Sequence, residues 1–141
     1  MGQKTHPIGF RLGGVQDWYS HWFANNASDY KKLTIEDYTI RKMINDKYSE
    51  SGAISSIDIE RGAQEVVVTI HTARPGIIIG RGGTAVDVMR EDMETLTGKK
   101  ARLNILEVRQ PDLNAILVGR SITEQLVRRV AYRRAIRTAA Q

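Results

Sequence analysis

The sequence contains no cysteine, which removes disulfides, zinc–thiolate sites and thiol nucleophiles from consideration. No apolar run approaches the roughly 20 residues of a membrane span, so no membrane partner is expected. The opening MGQKTHPIGF has no signal-peptide core, and the expected location is cytoplasmic, or the organellar equivalent. Internal repeats and low-complexity tracts are lacking. The three histidines, His6, His21 and His71, are scattered without metal spacing. No Ser-His-Asp order and no carboxylate pair in an apolar setting stands out, so neither an enzyme, nor a metal site, nor a cofactor is expected.

What is present is a chain of 141 residues, 41% hydrophobic and 26% charged, enough for one globular domain with an arm or two. The net charge is +5, with 21 Lys and Arg against 16 Asp and Glu. Residues 1–113 carry equal numbers of cations and anions. Residues 114–141 carry Arg120, Arg128, Arg129, Arg133, Arg134 and Arg137 against Glu124 alone. All the net charge thus falls in the last fifth of the chain, the pattern of a segment built for a polyanion.

Periodicity divides the chain into three parts. Residues 1–30 read as an irregular N-terminal arm, with Lys4 and Arg11 beside Gly2, Gly9 and Gly13 suited to lying on RNA; Trp18 and Trp22 are able to stack on bases, but rings in an arm more often anchor it to its own domain or a protein neighbour. Residues 31–109 read as an α+β domain. A helix is expected from Thr34, capped by Thr34 with Asp37, with Ile40, Met43, Ile44 and Tyr48 as its apolar stripe and Gly52 as its stop. ISSIDIERG and EVVVTIHT alternate as strands and form a hairpin. Pro75 opens a short helix, and GRGG breaks it. A further helix starts at Thr84, capped by its own side chain with Asp87, carries Val86, Met89, Met93 and Leu96, and ends at Gly98. KARLNILEV is a third strand. Residues 110–141 then form one long basic helix, from about Asn114 to Thr138. Its stripe of Ala115, Gly119, Ile122, Leu126 and Val130 turns cationic at Arg133 and Arg137, flanked by Arg129 and Arg134. The whole is a three-stranded sheet covered on one face by helices.

The stretch IIIGRGGTA is the sharpest signal. Gly80, Gly82 and Ala85 formally satisfy G-x-G-x-x-A, but a dinucleotide site needs a strand feeding directly into the glycines, and Pro75 and Gly76 interrupt it. The phosphate loop of nucleotide hydrolases fails outright, because Gly-Lys-Ser/Thr does not occur. A helix–GxxG–helix element fits better. Gly80, Arg81, Gly82 and Gly83 allow a turn to press on a sugar-phosphate chain. The next helix offers free amides and a positive dipole end, Arg81 adds a cation, and the preceding isoleucines wall a groove for bases. A tight turn between two packed helices without a ligand remains the competing reading.

Four blocks in order, MGQKTHPIGFRLG, TARPGIIIGRGG, LTGKKARLNILEV and RRVAYRRAI, resemble the family of the third protein of the small ribosomal subunit, bacterial type, over essentially the entire chain. The resemblance implies a type II KH domain, binding to small-subunit ribosomal RNA in the head, and a structural place lining the channel by which messenger RNA enters during translation. It implies the tenth and fourteenth proteins of the head and the fifth at that channel as neighbours. It also implies that Arg133, Arg134 and Arg137 help unwind messenger structure. Tyr132 stands where Phe is common, and Arg137 where Lys is. Family members continue into a second α+β domain, whereas this sequence reaches only the connecting helix. Two other classes stay open at this point: a free KH regulator of messenger RNA, which needs neither the first block nor the arginines, and a small dinucleotide-binding protein.

Overall fold

The computed structural model describes residues 2–48 and 52–141. In chain order the elements are helix α1 (Pro7–Arg11), strand β1 (Ser20–His21), helix α2 (Ala27–Tyr48), strands β2 (Ile54–Arg61) and β3 (Glu65–Thr72), helices α3 (Pro75–Ile79) and α4 (Thr84–Thr97), strand β4 (Lys100–Glu107), and helices α5 (Ala115–Val127) and α6 (Tyr132–Ala140). Among the described residues no helix is long and apolar enough to cross a membrane.

The hairpin follows from alternation. Ile57 and Ile59 of β2 and Val66, Val68 and Ile70 of β3 point to one side and are buried, and the two strands pair antiparallel. β4 joins β3 in parallel, Val68 opposite Leu103 and Ile70 opposite Ile105, the geometry a helical crossover imposes. α2 and α4 cover this apolar side: Ile40, Ile44 and Tyr48 from one and Met89 and Met93 from the other close a core that also takes in Ile78 of α3. Burial of each such side chain contributes about 1.5–3 kcal/mol. Gly98, left-handed at φ +63°, ends α4 with its amide on the Glu94 carbonyl at 2.8 Å. On the open side of the sheet His71 meets Asp58 at 3.0 Å.

The sheet has four strands rather than three, because the arm contributes β1. Ser20 and His21 pair in parallel with Ile59 and Glu60, giving the order β1-β2-β3-β4. No periodicity announces a two-residue strand; it exists because tertiary contacts hold it. Ser20 Oγ and Trp22 Nε1 donate to Asp37 at 3.0 and 2.8 Å, and Arg61 donates to the same carboxylate from Nε and Nη2 at 2.8 and 2.6 Å. Arg61, only 3% exposed in its side chain, also reaches Glu36 at 2.7 Å. Arg41 donates to the carbonyls of Tyr19 and Ile57 and to Ser20 Oγ. Burial lowers the pKa of Arg41, opposed by Asp37, Asp58 and Tyr19.

Three further expectations change. α2 begins at Ala27, not Thr34, and the Thr34 hydroxyl donates to the Tyr30 carbonyl at 2.8 Å instead of capping. Asp37, expected as its capping partner, is the buried centre of the arm network. The first two turns of α2 were invisible because they lie outside the core and carry no apolar stripe. The arm is not wholly irregular, since α1 and a bridge between Leu12 and Gln16 lie within it. Gly52 donates its amide to the Tyr48 carbonyl at 3.0 Å; residues 49–51, over which the helix was expected to run on, lie outside the described residues.

The expected single helix over 114–138 is two. α5 ends at Val127, and Arg129 adopts φ +61°. The Arg129 amide donates to the Leu126 carbonyl at 2.9 Å, and the Val130 amide to that of Gln125 at 3.0 Å. This paired pattern is a Schellman termination with arginine where glycine is usual. α6 then folds back on α5 and buries Ala135 completely. The stripe read through Ala115, Gly119, Ile122, Leu126 and Val130 is not the packed face either. Leu117 is the buried residue of α5, because Ile116, Leu117 and Val118 spread apolar surface around the helix and leave the stripe ambiguous.

Candidate nucleic-acid interface

The glycine segment is a turn between α3 and α4. Pro75 lacks an amide hydrogen and has a preset φ, which suits the first turn of α3. Ile78 is buried, while Ile77 and Ile79 stay partly exposed beside the turn. Gly80 has φ +72° and ψ −175°, a combination essentially confined to glycine. A Cβ there would stand 2.9 Å from that of Ala85, so Gly80 also lets α4 pack close. Gly82 and Gly83, at φ +65° and +81°, are different: a Cβ at either position would meet open space. Their bareness serves no internal packing. It leaves a stretch of backbone that an outside chain can approach.

No side chain caps α4. Its N-cap is Gly83, and the Thr84 hydroxyl, expected to cap, donates to the Arg81 carbonyl at 3.1 Å. The first-turn amides therefore point outward with the positive end of the helix dipole behind them, an arrangement suited to an anionic oxygen. Arg81 is exposed at the tip. Asp87, the acid of that first turn, is paired with Arg90 at 3.0 Å. Further along α4, a groove of about 520 Å³ runs between that helix and the free edge of the sheet, lined by Val86, Arg90, Lys100, Arg102 and Leu103 and also by the acids Glu65 and Glu94, with Glu65 3.8 Å from Arg102. Lys100 and Arg102 were missed in the sequence reading. Their signal was present: they alternate with the core-facing Ala101 and Leu103, which puts both cations on the outer face of β4.

The strand–turn–helix context of a dinucleotide site is not found, because α3 stands between β3 and the glycines. Among the described residues no group of three or more His, Asp or Glu could hold a metal ion.

The arginines are gathered by α6. At 100° per residue, Arg133, Arg134 and Arg137 fall within an arc of roughly 100° opposite the buried Ala135. All three are exposed. Arg133 lies over the Tyr132 ring at 5.7 Å and donates to its hydroxyl at 3.1 Å. Arg129 sits in the bend. Lys4 and Arg11 are exposed on the arm, whose strand forms the sheet edge opposite β4. Arg11 is partly occupied, donating to the Pro7 carbonyl at 2.7 Å. The candidate residues thus form three groups: the glycine turn with Arg81, the α6 face with Arg129 beside it, and the arm.

Comparison with known proteins gives two results. The family described as KH domain matches residues 39–113. The chain is also similar to small ribosomal subunit protein uS3 of Dehalococcoides mccartyi, 54% identical over 139 residues, which is 99% of this chain and 49% of that protein. Small ribosomal subunit protein uS3 of Streptococcus equi subsp. zooepidemicus is 48% identical over 141 residues, 100% of this chain and 64% of that protein. The chain therefore spans about half the length of the first relative and under two thirds of the second.

Proposed function

We propose a function from one premise: the chain belongs to the KH-domain family. Its role is that of a structural, non-catalytic constituent of the small ribosomal subunit, as the names of its relatives suggest. The turn Gly80–Gly83 and the first turn of α4 clamp the backbone of ribosomal RNA in the head, with Arg81 on a phosphate and the groove toward β4 receiving bases. The face of α6 bearing Arg133, Arg134 and Arg137, with Arg129 beside it, meets messenger RNA where it enters. Arginine suits both contacts because its planar fork pairs with phosphate and stacks on bases. Lys4 and Arg11 extend the RNA contact along the arm. The proposed division is an arm over residues 1–30, a KH domain over 31–109 and a basic helical segment over 110–141, and the tenth, fourteenth and fifth small-subunit proteins are the neighbours that go with this place. The site of action is the ribosome, cytoplasmic or organellar.

One observation carries the reading: three glycines at positive φ within the four-residue turn Gly80–Gly83, two of them facing open space, directly before an uncapped helix. Positive φ by itself favours glycine at Gly82 and Gly83; the open space around both is what leaves their backbone within reach of an RNA chain. The decisive experiment is sedimentation with small subunits through a high-salt gradient. Association that survives high salt and is lost in Gly82→Asp/Gly83→Asp supports the role. A chain that stays at the top of the gradient while still binding free messenger RNA would be a soluble regulator instead.

A further inference from the structure

We propose that the arm, residues 6–23, carries a platform on which unstacked bases of single-stranded RNA lie against exposed aromatic rings. The class of ligand rests on the reading just given for the glycine turn; the surface itself does not. Three observations carry it.

The arm is held in place at residues 19–22. Asp37 accepts from Ser20 and Trp22 at 3.0 and 2.8 Å, Arg41 donates to the Tyr19 carbonyl at 2.7 Å, and the Ile59 amide donates to that same carbonyl at 2.9 Å. Yet rings are left bare beside these pinned residues and on α1 upstream of them. Trp22 packs on Tyr30 with ring centres 5.4 Å apart, but Phe10, Trp18 and Phe23 are 76%, 62% and 85% exposed. Large rings kept in water on a fixed backbone mark a surface that is covered in the working state. Thirdly, the surroundings are those of a polyanion site. Residues 2–25 hold Lys4 and Arg11 against Asp17 alone, and the Asp17 carboxylate is engaged by the Trp18 amide at 2.8 Å. Gly2, Gly13 and Gly14 have open space where a Cβ would stand, so phosphate can approach backbone there. Ring faces, cations and bare backbone together are how single strands are bound without sequence readout. A protein neighbour would use the rings but has no need of cation-flanked bare backbone.

The test titrates the 141-residue chain with a 12-nucleotide oligouridylate, reading tryptophan emission alongside anisotropy of a label on the oligonucleotide. Stacking on Trp18 quenches emission in step with the anisotropy. Trp18→Phe keeps the stacking face, so it retains affinity and loses most of the quench. Phe10→Ala/Trp18→Ala weakens binding by about thirtyfold or more, for two lost stacks; both side chains are exposed, so its melting temperature stays near that of the parent chain. If it fails to fold, the quench in Trp18→Phe decides alone. Arg81→Glu separates the two sites: it weakens binding through the turn and leaves the Trp18 quench at saturation. Anisotropy that rises with no change in Trp18 emission, with the arm variant binding like the parent, overturns the arm proposal and leaves the turn standing. An arm variant that binds the oligonucleotide normally but no longer sediments with small subunits also overturns it, in favour of a protein neighbour. No oligonucleotide binding by the parent chain overturns both.

Discussion

The bends that join α3 to α4 and α5 to α6 both use left-handed residues, and they are built from opposite materials. Between α3 and α4 the turn is Gly80-Arg81-Gly82-Gly83, with all three glycines at positive φ. Between α5 and α6 it is Arg128-Arg129-Val130-Ala131, with Arg129 at φ +61° and no glycine at all. The glycine bend strips side chains away and leaves the backbone bare at Gly82 and Gly83. The arginine bend tolerates backbone strain and keeps its side chains, folding α6 back so that its cations face outward. In the function proposed above, the first turn binds mainly through fixed backbone dipoles at short range, and the second through full side-chain charges, which salt screens.

Four substitutions sharpen the contrast, taken from the largest expected effect down. Gly80→Val combines a disallowed backbone with a clash on Ala85 and should destabilise by about 2–4 kcal/mol. A lower urea midpoint at constant slope is the readout, and an unchanged midpoint would mean the turn adapts. Gly83→Ala meets no neighbour, so only its φ of +81° counts; a loss of about 1–2 kcal/mol is expected, with RNA affinity falling further than that of an exposed-helix control. Removing Arg133, Arg134 and Arg137 together leaves the melting temperature unchanged but makes the salt slope of RNA binding shallower by about 2, the counterion release of three contacts to a single strand. In filter binding, a slope equal to that of the parent would place these arginines outside the interface. Arg129→Gly reverses the sign: it relieves the left-handed strain and raises stability by about 1 kcal/mol, seen as a small rise in melting temperature, while RNA binding weakens slightly. Stabilisation without that loss would make Arg129 a purely structural residue.

The same contrast explains how legible each part was. The hairpin, the short helix at Pro75, the turn and α4 could be read because each is coded locally: alternation for strands, 3.6-residue spacing for Met89 and Met93, glycine where the backbone turns left. The α5–α6 break could not, since arginine is a poor signal for a left-handed residue and the driving event, burial of Ala135 against α5, lies beyond the bend. The arm failed for a related reason. Asp37 sits three residues before Ile40 and seven before Ile44, a core-facing position that should have marked it as buried, yet its partners Ser20, Trp22 and Arg61 are 17, 15 and 24 residues away.

From residue order alone came the α+β class, the core of alternating and helically spaced apolar residues, the bare glycine turn and the placement of all the net charge in the last fifth of the chain. These depend on interactions between near neighbours, which the order of residues encodes directly. Tertiary structure alone decided that the arm supplies a fourth strand, that Lys100 and Arg102 of β4 share a groove with Val86 and Arg90 of α4, and that the arginines stand on a folded-back hairpin. Each of these depends on groups distant in sequence that meet only when the core closes, and the free energy of those meetings outweighs the local preferences that a linear reading can weigh.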